Sequence, residues 1–178
     1  MPSSEKPLVF LVGPTGVGKS AAVLRLAEAL DGEIISCDSM QVYRGFDIGT
    51  DKPTAADRAR VPHHLIDVVE AGSQFNAADF ASLAVEAIAQ IRGRGRRPFV
   101  VGGTGLYFKA LEDGLFPGPG RDEAIRRALD EEARTSGSEA LWERLARVDP
   151  VYAAKTGRRD RVRIVRALEV QAITGTPL

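Results

Sequence analysis

"LVFLVGPTGVGKSAAVLRLAEAL", Leu8–Leu30, carries the most structural information in this chain. Leu8–Val12 is an unbroken apolar run, the pattern of a strand buried on both faces of a parallel sheet. Gly13, Pro14, Thr15, Gly16, Val17, Gly18, Lys19 and Ser20 then fit the spacing G-x-x-x-x-G-K-[ST]. After Ser20, "AAVLRLAEAL" has helical composition, with Val23, Leu26, Ala27 and Leu30 predicted on one face. A glycine-rich turn between such a strand and helix wraps its backbone N–H groups around an anion, and the helix N-terminus adds partial positive charge. Lys19 is placed to bridge terminal phosphate oxygens and Ser20 to ligate Mg2+. The motif implies a diphosphate or a triphosphate without saying which.

Glu33–Cys37, "EIISC", reads as a second buried strand that delivers Asp38 to a carboxyl end. Residues 39–74 read as irregular. Asn76, with Asp79 three residues later, predicts a helix running to about Arg92. After the turn "GRGRR", Pro98–Val101 is a third strand, followed by "GGTG", Gly102–Gly105. Strand–turn–helix units in this order imply an α/β fold, a P-loop-type parallel sheet flanked by helices on both faces. Residues 1–114 are the expected phosphate-binding core. "FPGPG", Phe116–Gly120, reads as a linker within a helical insertion over 115–158, with helices at about Asp122–Thr135 and Ser138–Val148 split at Ser136-Gly137. A last helix, Asp160 to Ile173, lies in a segment, 159–178, expected to return to the core.

The 178 residues suffice for one domain with a real core and a small insertion. Formal net charge is zero, which excludes a polycation, so any nucleic-acid contact must come from a local Arg cluster. Apolar runs are strand-sized, too short to span a membrane. One cysteine, Cys37, allows no internal disulfide, and "MPSSEKP" carries no signal peptide. A cytoplasmic monomer with no membrane partner is expected.

The third strand ends "PFVVGGTG", with no acid where nucleotide-hydrolysing proteins hold Mg2+. Asp38 is the one strand-end carboxylate near the glycine-rich turn. Three roles are open to it: binding metal, accepting a proton from a nucleophile, or capping a turn with Ser39. His63 and His64 point opposite ways in extended chain and have no Cys partner, so hydrogen bonding is favoured over metal. Cys37 is a strand-end residue whose neighbour Asp38 disfavours a thiolate. Trp142 reads as a packing anchor, while Tyr43 and Phe46 sit where a base could stack. Arg159, Arg163 and Arg166 form a stripe away from Val165, Leu168 and Ala172, with Arg161 nearer the apolar side. A solvated face is the ordinary reading of such a stripe.

"GPTGVGKS", "ISCDSMQVYRGFDIGTDKP", "VPHHLID", "VVGGTGLY" and "VRIVRALEV" stand in the order found in the tRNA dimethylallyltransferases, or tRNA isopentenyltransferases. The chain resembles that family from Leu8 to Leu178. The resemblance implies transfer of a dimethylallyl group from dimethylallyl diphosphate to N6 of an adenine beside the tRNA anticodon. It implies that the turn holds the leaving diphosphate with Mg2+ on Ser20. Asp38 would take the amine proton, and Thr104 would hydrogen-bond the diphosphate bridge or the adenine. Ser39, Met40 and Gln41 match the loop that reads the extruded base, with Asp38 and Thr104 beside it. Arg126 and the run Val162, Arg163, Ile164, Val165, Arg166 match tRNA-contact positions. Asp51 departs from the small residue usual in "GTDKP", and "TGRRD" replaces a Pro-Asn-Asp-type turn. Family members continue well past "TGTPL", so the resemblance implies C-terminal truncation. Two alternatives stay open: a small-molecule kinase with this turn, and a truncated, non-catalytic binder of diphosphate or RNA.

Overall fold

The computed structural model describes residues 6–114 and 118–178. It divides into two units, Met1–Leu115 and Phe116–Leu178. Phe116 and Pro117 of the expected linker lie outside the described residues.

In the first unit, β1 (Val9–Val12), β2 (Gly32–Cys37), β3 (His63–His64) and β4 (Arg97–Gly102) form one sheet in the order β1-β4-β2-β3, every pair parallel. Successive β2 residues serve opposite faces. Ile34 packs with Val23, Leu24, Ala27, Phe99 and Val101 under α1 (Lys19–Ala29). Ile35 and Cys37 pack with Phe80, Ile91 and Val100 under α3 (Ala77–Gly93) and α4 (Gly105–Glu112). Both faces of β2 are therefore covered, which is why Ile34 and Ile35, on opposite sides of it, are both buried. Burying a Phe or Ile this way contributes roughly 1.5–3 kcal/mol per side chain. The face of α1 differs from expectation. Leu24 is buried beside Val23 and Ala27, whereas Leu26 and Leu30 are 42% and 40% exposed. The core takes a narrow strip of this helix, displaced by one side chain from the expected one.

Asn76 caps α3 in a capping box: its Oδ1 accepts from the N–H of Ala78 and Asp79, and Asp79 accepts from the N–H of Asn76. The expected irregular stretch 39–74 holds two short elements, β3 and α2 (Ala55–Arg60). Thr54 and Asp57 form a capping box for α2 that was readable as T-x-x-D. At the amino end of the sheet, Glu33 is 2% exposed and satisfied by two hydrogen bonds from Arg94, one from Arg96 and a 2.6 Å contact to His64 Nε2. His63 Nδ1 meets Val61 O at 2.7 Å, so both histidines serve hydrogen bonding.

The second unit is helical. α5 (Glu123–Val148) is broken at Gly137, whose φ of 84° and ψ of 158° end one helix and begin another, as the Ser136-Gly137 split predicts. α6 (Pro150–Lys155) follows, capped by Asp149, and then α7 (Arg161–Thr174). Ile164, Val165, Ala167 and Leu168 pack with Leu129, Ala133, Leu141, Leu145 and Ala153. Within this unit the apolar face of α7 is buried against α5 and α6. Ala172, expected on that face, is exposed. Trp142 is an anchor: its Nε1–H donates to Ala153 O and Thr156 O, with the Arg158 guanidinium 4.4 Å from the ring centre. Among the described residues no helix is long and apolar enough to cross a membrane.

Candidate active site

The parallel order places the carboxyl ends of β1, β4 and β2 side by side. The glycine-rich turn leaves β1, Gly102-Gly103-Thr104 leaves β4, and Asp38 leaves β2. Clefts in open parallel sheets form at such ends. A cleft of about 600 Å³ lies here, lined by Lys19, Ser20, Asp38, Gln41, Asp51 and Gly102 among others. Asp38 thus shares one cavity with the glycine-rich turn.

Gly16 and Gly18 both adopt φ 84°, a left-handed backbone that other residues resist, and Gly18 is the N-cap of α1. Lys19 arches back over the turn, its Nζ donating to Pro14 O at 2.6 Å. The Ser20 hydroxyl lies 3.5 Å from Asp51 Oδ2. Gly102 is fixed by crowding. A Cβ there would overlap the Cys37 carbonyl oxygen on the neighbouring strand. This is a backbone-to-backbone approach that no rotamer change can relieve.

Asp38 Oδ1 accepts from the N–H of Met40 at 2.8 Å and of Gln41 at 3.3 Å, so the carboxylate does form the turn that its sequence allowed. No described hydrogen bond or ion pair engages Oδ2. Turn-capping and chemistry are therefore compatible, one oxygen for each. Thr104 Oγ1 accepts from the N–H of Ser39 at 3.1 Å, and the Thr104 N–H donates to Cys37 O at 3.3 Å. These two bonds couple the residues on either side of Asp38 to the loop after β4. With its oxygen accepting, the Thr104 hydroxyl keeps its proton for another acceptor. Burial, reinforced by the charge of Asp38, pushes the Cys37 thiol up to about 12, so it is no nucleophile.

Gln41 fastens the loop it stands in. Its Oε1 accepts from Ser36 Oγ at 2.8 Å, and its Nε2 donates to Thr50 O and Asp51 O at 3.0 and 2.9 Å. The side-chain amide ties Ser36 to the backbone of Thr50 and Asp51. Met40, 46% exposed, is the apolar surface next to Asp38. Tyr43 and Phe46 stand 5.5 Å apart, ring to ring. Lys52, unflagged by the sequence reading, is the loop's second fastener. Its side chain is 5% exposed, and Nζ donates to Tyr43 O, Asp47 and Asp67. Burial alone would lower this ammonium, but the bonds to Asp67 and Asp47 outweigh it and raise it. Arg58 pairs with the other oxygen of Asp67. These partners lie 5 to 15 residues from one another along an irregular loop, so no helical or strand periodicity marked them.

The helical unit separates the expected tRNA contacts. Glu169, fully buried, takes two hydrogen bonds from Arg126, one from Arg166 and one from the N–H of Asp122. Burial would raise this carboxyl, but those donors outweigh it and hold it at about 2. Arg126 and Arg166 are thus both paired with a buried carboxylate, their side chains remaining 25% and 32% exposed. A buried carboxylate without them would be strongly unfavourable. Ile164 and Val165 are 0% and 5% exposed, which places their side chains in the helical core. Val162 is 80% exposed, and Arg163 is exposed with Asp160 at 3.5 Å. Arg161 pairs with Asp130. Within the expected stripe, Arg159 and Arg163 remain on the surface.

Fold and cleft together define an α/β protein with a glycine-rich turn and a strand-end carboxylate at the carboxyl edge of a parallel sheet. The family described as IPP transferase matches residues 41–178, and the chain belongs to that family. It is 55% identical over 175 residues to a tRNA dimethylallyltransferase of Geobacter sulfurreducens, covering 98% of this chain and 56% of the relative. A tRNA dimethylallyltransferase of Halorhodospira halophila is 54% identical, with coverage of 97% and 56%. Among solved structures, the full-length tRNA isopentenylpyrophosphate transferase of Bacillus halodurans superposes with a TM-score of 0.62 at 48% identity, covering 97% of this chain and 57% of that one. A eukaryotic dimethylallyltransferase acting on tRNA gives 0.74 at 32% identity, covering 98% and 43%. The chain spans little more than half the length of the curated relatives it matches.

Proposed function

We propose that this chain carries the diphosphate site and the proton-accepting carboxylate of a tRNA dimethylallyltransferase. The donor would be dimethylallyl diphosphate and the acceptor N6 of an adenine next to the anticodon. One observation supports this above others: the glycine-rich turn, Asp38 and the Thr104 loop leave three adjacent strand ends and border one cleft. The names of the relatives are consistent with it.

In the proposed reaction the N6 lone pair attacks the allylic carbon, the carbon–oxygen bond to diphosphate breaks, and the N6 proton passes to Asp38 Oδ2. The backbone N–H groups of the turn, the α1 N-terminus and Lys19 take up the charge that develops on the leaving group. Thr104 Oγ–H donates to the bridging oxygen or to the adenine. An adenine amine is a weak nucleophile, so holding it against a positioned base contributes much of the rate. N6 is inaccessible in a stacked base, which requires extrusion into the cleft. Mg2+ fits this site, because the exposed Ser20 hydroxyl with a carboxylate 3.5 Å away is an all-oxygen donor set. When bound it supplies charge neutralisation to the diphosphate, and Ser20 would hold it.

Incubating the full-length protein with dimethylallyl diphosphate, Mg2+ and unmodified tRNA, followed by mass analysis of the nucleosides, tests the proposal. Prenylated adenosine is expected. Turnover of a nucleoside triphosphate onto a small hydroxylated acceptor, with no prenylated adenosine, would favour the kinase alternative instead.

A further inference from the structure

Asp51 stands in a loop, not at a strand end, yet its carboxylate faces the Ser20 hydroxyl across the cleft at 3.5 Å. Its backbone is held in the left-handed region, φ 52°, a conformation that residues other than glycine adopt infrequently. The hold is a relay. Buried Ser36 donates to Gln41, and Gln41 donates to the carbonyls of Thr50 and Asp51. The loop's other acid, Asp47, is paired with Lys52, whereas no ion pair engages Asp51 among the described residues. A carboxylate without a cationic partner beside a site for a multiply charged anion is repulsive unless a cation stands between them.

Building on the proposed diphosphate site, we propose that Asp51 is a positioning residue for the divalent cation that accompanies the diphosphate, standing in for the acid that β4 lacks. Two oxygens bound directly to one octahedral Mg2+ lie roughly 2.9 Å apart. The wider gap between Ser20 and Asp51 suits Ser20 as the direct ligand and Asp51 as acceptor of a hydrogen bond from a water in the ion's shell. Gln41 then acts one step further out, as the residue that aims Asp51.

The test is calorimetric titration of the full-length protein with inorganic pyrophosphate, in EDTA and across a Mg2+ series. Asp51→Asn should raise the Mg2+ concentration for half-maximal enhancement about 10-fold, the scale of outer-shell losses. Its affinity in EDTA should stay the same or tighten, since a like charge is gone. Asp51→Gly, which tolerates φ 52° freely, should behave the same way and so excludes a backbone effect. Asp51→Glu should recover part of the Mg2+ response. A Mg2+ requirement unchanged in both Asp51→Asn and Asp51→Gly would overturn the inference, as would equal affinity losses with and without Mg2+. If the wild-type protein binds pyrophosphate under neither condition, the diphosphate reading of the cleft falls, and this inference with it.

Discussion

Asp38 and Asp51 border the cleft of the sheet unit with no ion-pair partner among the described residues, whereas Glu169 in the helical unit is fully buried and gripped by Arg126, Arg166 and a backbone N–H. The same contrast recurs inside the sheet unit. Glu33, at the amino end of β2, is saturated by Arg94, Arg96 and His64, while Asp38, at the carboxyl end of the same strand, keeps one oxygen unengaged. A strand can thus carry a saturated acid at one end and a partly unengaged one at the other. The saturated acids close a core. The unsaturated ones stand where an incoming cation, proton or anion completes the charge balance. Arginine abundance is a poor guide to RNA contact for the same reason, because several of these arginines are consumed internally.

The sharpest way to break this contrast is to neutralise Asp38. Asp38→Asn in the full-length protein should lower turnover about 10³-fold, or about 4 kcal/mol in the barrier, while pyrophosphate affinity changes by no more than about threefold. Equal losses in both would make Asp38 a binding group. Next, Gly102→Ala should cost about 3 kcal/mol of stability, measured by denaturant midpoint, since the new methyl meets the Cys37 carbonyl on the adjacent strand. A stable Gly102→Ala protein would mean that the β4–β2 spacing relaxes more readily than the ladder suggests. Arg126→Ala should then cost about 2 kcal/mol, less than the roughly 3–5 of a fully stranded charge, because Arg166 still reaches Glu169. Arg163→Ala should change stability by less than about 0.5 kcal/mol but lower the salt slope of tRNA binding by about 1. Interchanged results for these two arginines would reverse their assignment.

The smallest effect concerns pH. Glu169 is shifted from its ordinary 4.5 to about 2, a lowered carboxyl. Its contribution is fully present above about 4.5 and is lost as pH falls toward about 2. Trp142, the chain's single tryptophan, lies in the helical unit, so its fluorescence reports that unit alone. Melting temperature followed by Trp142 should fall across this window, and Glu169→Gln should flatten the response. An unchanged slope in Glu169→Gln would place the acid sensitivity elsewhere.

Much of the architecture is legible in the sequence because local signals agree with global packing. The apolar run at β1, the Asn76 and Asp79 cap and the Ser136-Gly137 break each specify their element within a few residues. The strand order is not legible, since adjacency of β1 and β4 depends on pairing between residues 90 positions apart. β3 has two residues and α2 six, too short for periodicity, although the α2 cap was readable. The glycine-rich turn and Asp38 are recognisable from spacing and position. The engagement of Arg126, Gln41 and Asp51 is not, because Glu169, Ser36 and Ser20 reach them only through the folded chain.

The most direct measurement is a crystal structure of the full-length protein with pyrophosphate, Mg2+ and an anticodon stem-loop RNA. The account predicts diphosphate oxygens on the N–H groups of the glycine-rich turn, with an Asp38 carboxylate oxygen about 3 Å from an extruded adenine N6. Diphosphate bound away from the turn, or an Asp38 carboxylate facing away from the adenine, would contradict it.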